Sequence, residues 1–440
     1  MKKLSQKQKL IGFIAILIVA VILAIVITKS IIKNNNQVAN ESYAAITANA
    51  SSNLIANYIL NGITIGGITG KMDILDTNDA TALPDDIAWG ETAYVKGEKI
   101  IGTKIITIAH AKAAQKTFEE NTALIDDYGN RVKVPEGFKI AEDSATSVTG
   151  GVVIEDVSAG DNDTKGSQFV WVPVGNVLTD KNGSKTTITL GRYTFNNSGT
   201  ENLEQSADNY KNETILIGSD GRNYRELLKS STAGNSKALD IEDFIYKTKK
   251  SRGYYIGRYE AGDATAMNNE RKENDNNSNP VTCKKNIYPY TWVNQLQAVE
   301  LSTNMYSNNN FKTDLINSYA WDTAIIFIQK FSGDVNYSKQ SGINTNLQVE
   351  KCGESILKNI ESYDEKIDVR CNIYDMAGNT FEWTTENCTY QWTSESGTVI
   401  CYPCTARGGN CDHDYSTSSR NYNAVTDTFL ANSFRIILYF

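Results

Sequence analysis

The longest unbroken run of apolar residues lies near the N-terminus, at positions 10–28, with Lys9 and Lys29 on either side. At about 1.5 Å per helical residue, this run is just long enough to cross a hydrocarbon core of roughly 30 Å. More lysines precede the run than follow it closely, which keeps a short N-terminus in the cytoplasm. The pattern therefore predicts a single-pass membrane protein whose C-terminal part is extracellular, with residues 1–33 as cytoplasmic tail and anchor.

Two other interpretations of this run remain open. A cleaved signal peptide would require a small-residue cleavage pattern after the run, and none follows it. Gly12 and Phe13 resemble a prepilin processing site, although Leu17 stands where an acidic residue is expected. A pilin-like structural subunit is therefore an alternative, and it predicts cleavage after Gly12.

Downstream of the run, the periodicity changes twice. Residues 34–61 carry apolar side chains three and four positions apart, which favours a helical stalk. Between residues 62 and 105, glycines separate short β-branched runs, a pattern typical of small hairpins. We therefore predict a stalk and spacer over residues 34–117, a β-rich linker over 118–166 and a compact domain over 167–440.

Within residues 167–440, strand and helix patterns are mixed. Residues 253–260, Gly-Tyr-Tyr-Ile-Gly-Arg-Tyr-Glu, are typical of an aromatic strand. One helix is predicted after an N-cap at Thr291, and a second is predicted to begin near Ser318. Both helices have an apolar stripe that we interpret as packing against a sheet.

Composition narrows the class of protein. The formal net charge is −8, and no basic run occurs outside the N-terminus, so a nucleic-acid partner is not expected. Asn, Ser, Thr, Tyr and Gly are abundant and Pro is scarce, which suits a β- and loop-rich extracellular domain.

The chain has seven cysteines, and four of them lie close together near the C-terminus. If the domain is exported, one or two local disulfides are expected among these four. A redox-active Cys-x-x-Cys pair and a zinc site are the alternatives. The four residues are Cys388, Cys401, Cys404 and Cys411.

The segment at residues 375–383, Asp-Met-Ala-Gly-Asn-Thr-Phe-Glu-Trp, places a carboxylate near each end of a glycine-containing turn. Carboxylates turned inward need a partner, and a hard cation is one candidate. The alternative is an aromatic core strand after a tight turn.

Seven short motifs occur in an order that resembles the formylglycine-generating enzyme, or sulfatase-modifying factor, family. They are Val-Trp-Val-Pro-Val-Gly at 170–175, Tyr-Tyr-Ile-Gly-Arg-Tyr-Glu at 254–260, Tyr-Thr-Trp at 290–292, Ala-Trp-Asp at 320–322, the segment at 375–383, Arg-Gly-Gly-Asn at 407–410 and Ser-Phe-Arg at 433–435. The resemblance covers about residues 167–440. It implies a loop-rich α+β domain with a variant of the C-type lectin fold, preceded by the transmembrane helix and a stalk with small β elements.

In that family the loop at 375–382 holds a structural calcium. The resemblance implies that the Asp375 and Glu382 side chains and the Gly378 and Thr380 carbonyls are the ligands. Without a metal, the two carboxylates would accept backbone N–H groups or pair with arginines such as Arg407 or Arg435.

The resemblance does not extend to the metal-binding residues that the family uses for catalysis. The copper-binding cysteines of its oxidase members fall on His413 and Ser418 here. The related iron-dependent sulfoxide synthases need three histidines, and this chain has two. We therefore favour a non-catalytic domain, with a divergent oxidase that uses Cys401, Cys404 or Cys411 as the alternative.

The last stretch combines tyrosines with short polar side chains, a mixture that recognition surfaces use because Tyr supplies rigid contact area. It is similar in composition to the diversified site of variable proteins of diversity-generating retroelements. We predict that it binds an extracellular protein or glycan, the alternative being an ordinary solvated loop. The candidate ligand-binding residues are Asp412, His413, Asp414, Tyr415, Arg420, Asn421, Tyr422, Asn423 and Asn432. The leading prediction is thus a membrane-anchored bacterial surface protein that displays a non-catalytic lectin-like domain.

Overall fold

The computed structural model divides into two compact units, Met1–Ala82 with Ala93–Ile100, and Leu83–Thr92 with Ile101–Phe440. The residues that it describes are Ile18, Val21, 63–65, 68–69, 77–87, 92–102, 106–158, 163–210, 214–226, 241–266, 268–307, 310–342, 347–357 and 366–440.

The predicted membrane anchor at residues 10–28 lies outside the described residues, apart from Ile18 and Val21. Among the helices of the described segments, none has both the length and the apolar composition needed to cross a bilayer. The prediction of a transmembrane helix and of a single-pass localisation is corrected accordingly, because no described helix supports it. The predicted helical stalk at 34–61 and the cleavage site after Gly12 also lie outside the described residues.

The strands are short. Up to residue 160 they are β1 (Thr64–Ile65), β2 (Ile68–Thr69), β3 (Thr92–Val95), β4 (Glu98–Ile101), β5 (Thr122–Ile125), β6 (Arg131–Val134), β7 (Phe138–Ile140) and β8 (Val153–Asp156). Then follow β9 (Gln168–Pro173), β10 (Gly175–Leu178), β11 (Lys185–Ile188), β12 (Gly191–Phe195), β13 (Glu201–Ser206), β14 (Leu216–Ile217), β15 (Asn223–Arg225), β16 (Gly253–Gly257), β17 (Gly262–Asp263), β18 (Val281–Thr282) and β19 (Lys312–Leu315). The last are β20 (Ile356–Leu357), β21 (Lys366–Ile367), β22 (Val369–Arg370), β23 (Ile373–Tyr374), β24 (Phe381–Cys388), β25 (Gln391–Thr393), β26 (Val399–Cys401), β27 (Cys404–Arg407), β28 (Arg420–Asn423), β29 (Asn432–Phe434) and β30 (Ile436–Tyr439).

The α-helices of the described residues are α1 (Ile108–Ala113), α2 (Ile241–Ser251), α3 (Gln295–Asn304) and α4 (Ser318–Phe331). The predicted start of α4 is confirmed, and the Asn317 side chain caps it by accepting from the Ala320 N–H. The N-cap of α3 is Asn294, not Thr291. Trp292 between them has a φ of 61°, which lies outside helical backbone.

The prediction of an α+β domain was wrong, because strands take up more of the structure than helices. The predicted hairpins are present as β1 with β2 and β3 with β4. The second unit contains two six-stranded sheets, one in the order β19-β30-β16-β9-β8-β7. The other has the order β14-β15-β24-β27-β28, with β29 also paired to β24. Such a β-rich fold is compatible with a lectin-like domain.

The first sheet is buried on both faces. Alternate residues of β9 point in opposite directions, so Phe169 and Trp171 join one apolar cluster while Val170 and Val172 join another. Because β7 and β8 belong to this sheet, the segment predicted as a linker over residues 118–166 contributes to the same core. The Trp171 ring packs edge-on against Tyr255, with the ring centroids 4.9 Å apart.

Candidate functional site

A groove of about 430 Å³ lies beside β28, the edge strand of the second sheet. Its lining comes from three separate parts of the chain. The lining residues are Ser219, Asp220, Arg222, Phe381, His413, Tyr415, Ser419, Arg420, Asn421, Tyr422 and Asn423. Six of them are candidate ligand-binding residues from the sequence.

Regular strand pairing fixes the floor of this groove. Asn421 of β28 lies opposite Ala406 of β27, and Tyr422 lies opposite Thr405. On the other side, β27 pairs with β24, where Glu382 lies opposite Arg407. Side chains on such a paired strand have their positions set by the backbone, so the floor of the groove is preorganised.

Two of the lining residues, Arg222 and Tyr422, belong to a stack of aromatic rings on an arginine. The Arg222 guanidinium lies 4.1 Å from the ring centre of Tyr422 and 4.3 Å from that of Tyr390. Tyr390 and Tyr422 also contact each other, with centroids 4.7 Å apart, and Tyr402 packs edge-on against Tyr422 at 5.5 Å. The guanidinium is held in place by Asp220, whose Oδ2 lies 3.3 Å from Nη1.

A second aromatic group also lines the groove. The Tyr415 ring lies 5.5 Å from Phe381 and 6.0 Å from the His413 ring, measured between centroids. Tyr415 is 44% exposed, so much of its side chain faces solvent. The groove lining therefore combines two groups of aromatic side chains with polar side chains.

Several polar groups in the groove have no hydrogen-bond partner among the residues that the structure describes. Among the described contacts, no hydrogen bond is made by the Tyr415 hydroxyl or by the side-chain oxygens of Asn421 and Asn423. The His413 ring contacts Asp412 through Nδ1 at 2.6 Å, and its Nε2 makes no hydrogen bond in the described contacts. These groups remain available to a ligand.

Three candidate ligand-binding residues lie elsewhere. Asp412 is exposed and contacts His413 without lining the groove. Asp414 accepts a hydrogen bond from the Ser341 hydroxyl. Asn432 is 2% exposed on β29, beside β24, and is not accessible to a ligand.

Sequence reasoning missed Asp220, Arg222 and Phe381, which lie far from the C-terminal stretch in sequence. Arg222 is brought to the groove because β15 pairs with β24 at Tyr224. Nothing in the local sequence around residue 222 indicates this neighbourhood. Tyr390 and Tyr402, which contact Tyr422, flank the hairpin of β25 and β26.

Beneath the groove lies an arginine cluster, which we define as Arg192, Arg407, Arg420, Asp322 and Glu386. Arg420 donates from Nε to both Glu386 oxygens at 3.1 Å and from Nη2 to Asp322 at 2.7 Å. Arg192 and Arg407 add contacts to Glu386 at 2.5 Å and to Asp322 at 2.6 Å. Burial alone would raise the pKa of Glu386, but Arg420, Arg192 and Arg407 lower this pKa to about 2. Arg420 thus supports the groove floor through its buried carboxylate partners.

The predicted calcium loop forms a second buried cluster, the acidic cluster of Glu260, Asp368, Asp375, Glu382 and Arg435. Arg435 donates from Nε to both Glu382 oxygens, at 2.8 and 3.1 Å, and from Nη2 to Oε1 at 2.5 Å. Asp375 accepts from the backbone N–H groups of Gly353 and Ser355. The partner of Glu382 is thus Arg435 rather than Arg407.

Gly378, a predicted carbonyl ligand, has a steric role in this loop. A Cβ at this position would lie 2.5 Å from the Gly342 Cα, so only glycine allows the two backbones to approach. Thr380 donates from its backbone and its hydroxyl to Glu260.

Burial raises the pKa of each of the four carboxyl groups in the acidic cluster. For Glu260 the rise is large, and Asp375 and Glu382 add to it by charge repulsion. The pKa of Asp375 rises to about 8, mainly through burial and with a contribution from Asp368. A single guanidinium offsets only part of the free-energy cost of burying four carboxyl groups.

All seven cysteines are free thiols, so the structure gives no support to the disulfides predicted among Cys388, Cys401, Cys404 and Cys411. Burial raises the pKa of Cys404 and of Cys411 to about 12, and raises that of Cys388. Thiols with such a raised pKa hold little thiolate at neutral pH and are poor nucleophiles and metal ligands. Within the described residues, no group of three or more His, Cys, Asp or Glu side chains is placed to hold a metal ion.

Comparison with known proteins gives little further guidance. No protein-family model and no curated protein matches the chain. Three solved structures are similar at low level. A structure described as CarF has 14% identity and a TM-score of 0.27, covering 43% of this chain and 87% of its own. The Treponema denticola variable protein 1 has 13% identity and a TM-score of 0.29, covering 61% and 95%. A Major Tropism Determinant P3c variant has 11% identity and a TM-score of 0.23, covering 76% and 97%.

At these identities and TM-scores, the similarities carry no argument about what this chain binds. None of the comparisons supports membership of the formylglycine-generating enzyme family.

Proposed function

We propose that the second unit is a non-catalytic recognition domain that binds the polar, uncharged surface of a glycan or protein in the groove beside β28. The observation that carries this proposal is the arrangement of the groove itself. Tyr415, Asn421 and Asn423 present hydrogen-bonding groups with no partner in the described contacts, in a groove that aromatic side chains also line. Rigid aromatic rings interleaved with short polar side chains are what recognition surfaces use.

The charge balance of the groove supports an uncharged ligand surface. Arg222 is paired with Asp220. Arg420 is bound by two buried carboxylates, Glu386 and Asp322. Because each of these charges already has a partner inside the protein, a charged ligand group would have to break an existing ion pair. Binding should therefore depend on stacking and on neutral hydrogen bonds, and should change little with salt concentration.

The surroundings of the groove support binding rather than catalysis. Cys411, the nearest thiol in sequence to His413, is buried and its pKa is raised to about 12. A nucleophilic or copper-binding cysteine needs the opposite shift. The groove lining contains one histidine and no thiol.

The proposal is tested by screening the purified protein against an array of neutral oligosaccharides and a phage-displayed library of random peptides. We expect at least one probe whose binding is lost when Asn421 and Tyr415 are both changed to alanine. Asn182→Ala, at an exposed position outside the groove lining, is the matched control and should bind like wild type. Probes that bind the double variant as well as wild type, or the absence of any binding probe, would contradict the proposal.

A further inference from the structure

The acidic cluster provides an observation that is independent of the groove's ligand. Its four carboxyl groups have eight oxygens, and each of these oxygens accepts a hydrogen bond from an N–H or O–H group. For Glu382 and Asp375 the donors are Arg435 and the backbone of Gly353 and Ser355. In a cation site, by contrast, the carboxylate oxygens converge on one metal ion instead of accepting hydrogen bonds.

The other two carboxylates follow the same rule. Glu260 Oε2 accepts from the Asn379 side chain at 2.5 Å, and Oε1 accepts from the Thr380 N–H at 3.1 Å. Asp368 Oδ1 accepts from the Tyr337 hydroxyl and Oδ2 accepts from the Ala377 N–H, both at 2.8 Å. A calcium ion bound here would have to displace donors that are themselves buried and would then be left without partners.

The Arg435 guanidinium is held in this position by hydrogen bonds to several acceptors. Besides its bonds to Glu382, it donates from Nη1 to the Gly257 carbonyl and from Nη2 to the Tyr374 carbonyl, each at 2.9 Å. It is 0% exposed. The bidentate carboxylate and the two carbonyl oxygens supply the negative charge and the hydrogen-bond acceptors that a buried guanidinium needs.

We propose that the Arg435 guanidinium takes the place of a calcium ion in this loop, so that the second unit folds and keeps its groove without divalent cations. Of the implied ligands, Glu382 pairs directly with this side-chain cation, whereas Asp375 accepts backbone N–H groups. The resemblance to calcium-binding domains does not extend to this site.

The acidic cluster is connected to the groove through one residue, Phe381. Glu382 follows Phe381, which lines the groove and packs against Tyr415. Since the guanidinium fixes Glu382 at the start of β24, it also fixes the backbone that carries Phe381. Recognition in the groove is therefore expected to be independent of calcium.

The test is thermal unfolding of the full chain, first treated with a chelator and then measured with and without millimolar calcium, together with metal analysis of the purified protein. A structural calcium at saturating concentration would raise the unfolding midpoint by several degrees, since it binds the folded state alone. We expect no shift and no stoichiometric calcium. A shift of several degrees, or one calcium per chain, would overturn the proposal.

Two variants keep the test informative. Arg435→Met should unfold at a lower temperature, and calcium should not restore it. Asp375→Asn keeps a residue type that accepts the positive φ of 60° found at this position and removes one implied metal ligand. We expect it to unfold at the same temperature with and without calcium, as should the exposed control Asp127→Asn. A calcium-dependent midpoint in wild type that disappears in Asp375→Asn would assign the site to calcium.

Discussion

The two buried ionic clusters of the second unit share strand β24 and yet differ in charge balance. Glu382, near the start of the strand, belongs to the acidic cluster, in which four carboxylates surround Arg435 alone. Glu386, four residues later, belongs to the arginine cluster, in which two carboxylates meet three guanidinium groups. Glu382 and Glu386 are both fully buried.

The pKa values of the two clusters move in opposite directions because of this balance. Burial raises the pKa of Glu382, and the Arg435 guanidinium offsets only part of the rise. The pKa of Glu386 falls to about 2 because three arginines outweigh the same burial. The number of counter-charges, rather than burial, therefore decides in which direction the pKa of each buried glutamate moves.

Removing the lone arginine should have the largest effect. In Arg435→Met, Glu382 keeps its burial and loses its only cationic partner, so we expect a loss of about 3–5 kcal/mol in the free energy of unfolding. In Arg420→Met, Glu386 retains Arg192 and Arg407, and the loss should be smaller. Urea denaturation of both variants makes the comparison, and equal losses would contradict the difference between the clusters.

Replacing Glu386 tests the arginine cluster from the carboxylate side. The folded-state pKa of about 2 lies below the ordinary value of 4.5, so ionised Glu386 stabilises the fold above pH 4.5. This stabilisation is lost as the pH falls from 4.5 towards 2. Glu386→Gln should therefore lose roughly 3 kcal/mol at pH 7 and show a flatter decline in acid. If the free energy of unfolding of Glu386→Gln fell in parallel with that of wild type below pH 4.5, a lowered pKa of Glu386 would be contradicted.

Asp375 should behave in the opposite way. Its folded-state pKa of about 8 lies above the ordinary value of 3.8, so the folded protein holds a proton that the unfolded chain releases between these values. Stability should therefore fall as the pH rises through this window. In Asp375→Asn the fall between pH 6 and pH 8 should be smaller by about 2 kcal/mol. An unchanged pH dependence, measured by urea denaturation, would show that Asp375 is ionised in the fold.

The smallest effect on stability is expected in the groove. Tyr415 is partly exposed and contributes stacking surface, so Tyr415→Ala should leave the unfolding free energy within about 1 kcal/mol of wild type. Its affinity for a probe from the screen should fall about tenfold, since loss of an aromatic contact costs about 1–2 kcal/mol. A variant that loses stability and affinity together would assign Tyr415 to the scaffold.

The sequence predicted those features that depend on local pattern. The apolar stripe after residue 318 identified α4, and the glycine-punctuated runs identified the hairpins β1–β2 and β3–β4. The C-terminal stretch of tyrosines and short polar residues contains six residues that line the groove. Each of these signals lies within about ten neighbouring residues.

Features that depend on long-range pairing could not be predicted in this way. Arg222 reaches the groove only through the pairing of β15 with β24. Glu386 and Arg192 are 194 residues apart in sequence. The cysteines illustrate the same limit, since spacing between residues 388 and 411 favoured disulfides, whereas the fold leaves each thiol unpaired.

The central claim is that the groove beside β28 is the recognition site, and isothermal titration calorimetry tests it most directly. The tightest probe from the oligosaccharide and peptide screens would be titrated, in chelator and at low and high salt, into wild type and Asn421→Ala/Asn423→Ala. We predict a dissociation constant that is insensitive to salt in wild type and at least about tenfold weaker in the double variant, whose two lost hydrogen bonds are worth about 1–3 kcal/mol. An unchanged dissociation constant in the double variant would place the binding site elsewhere.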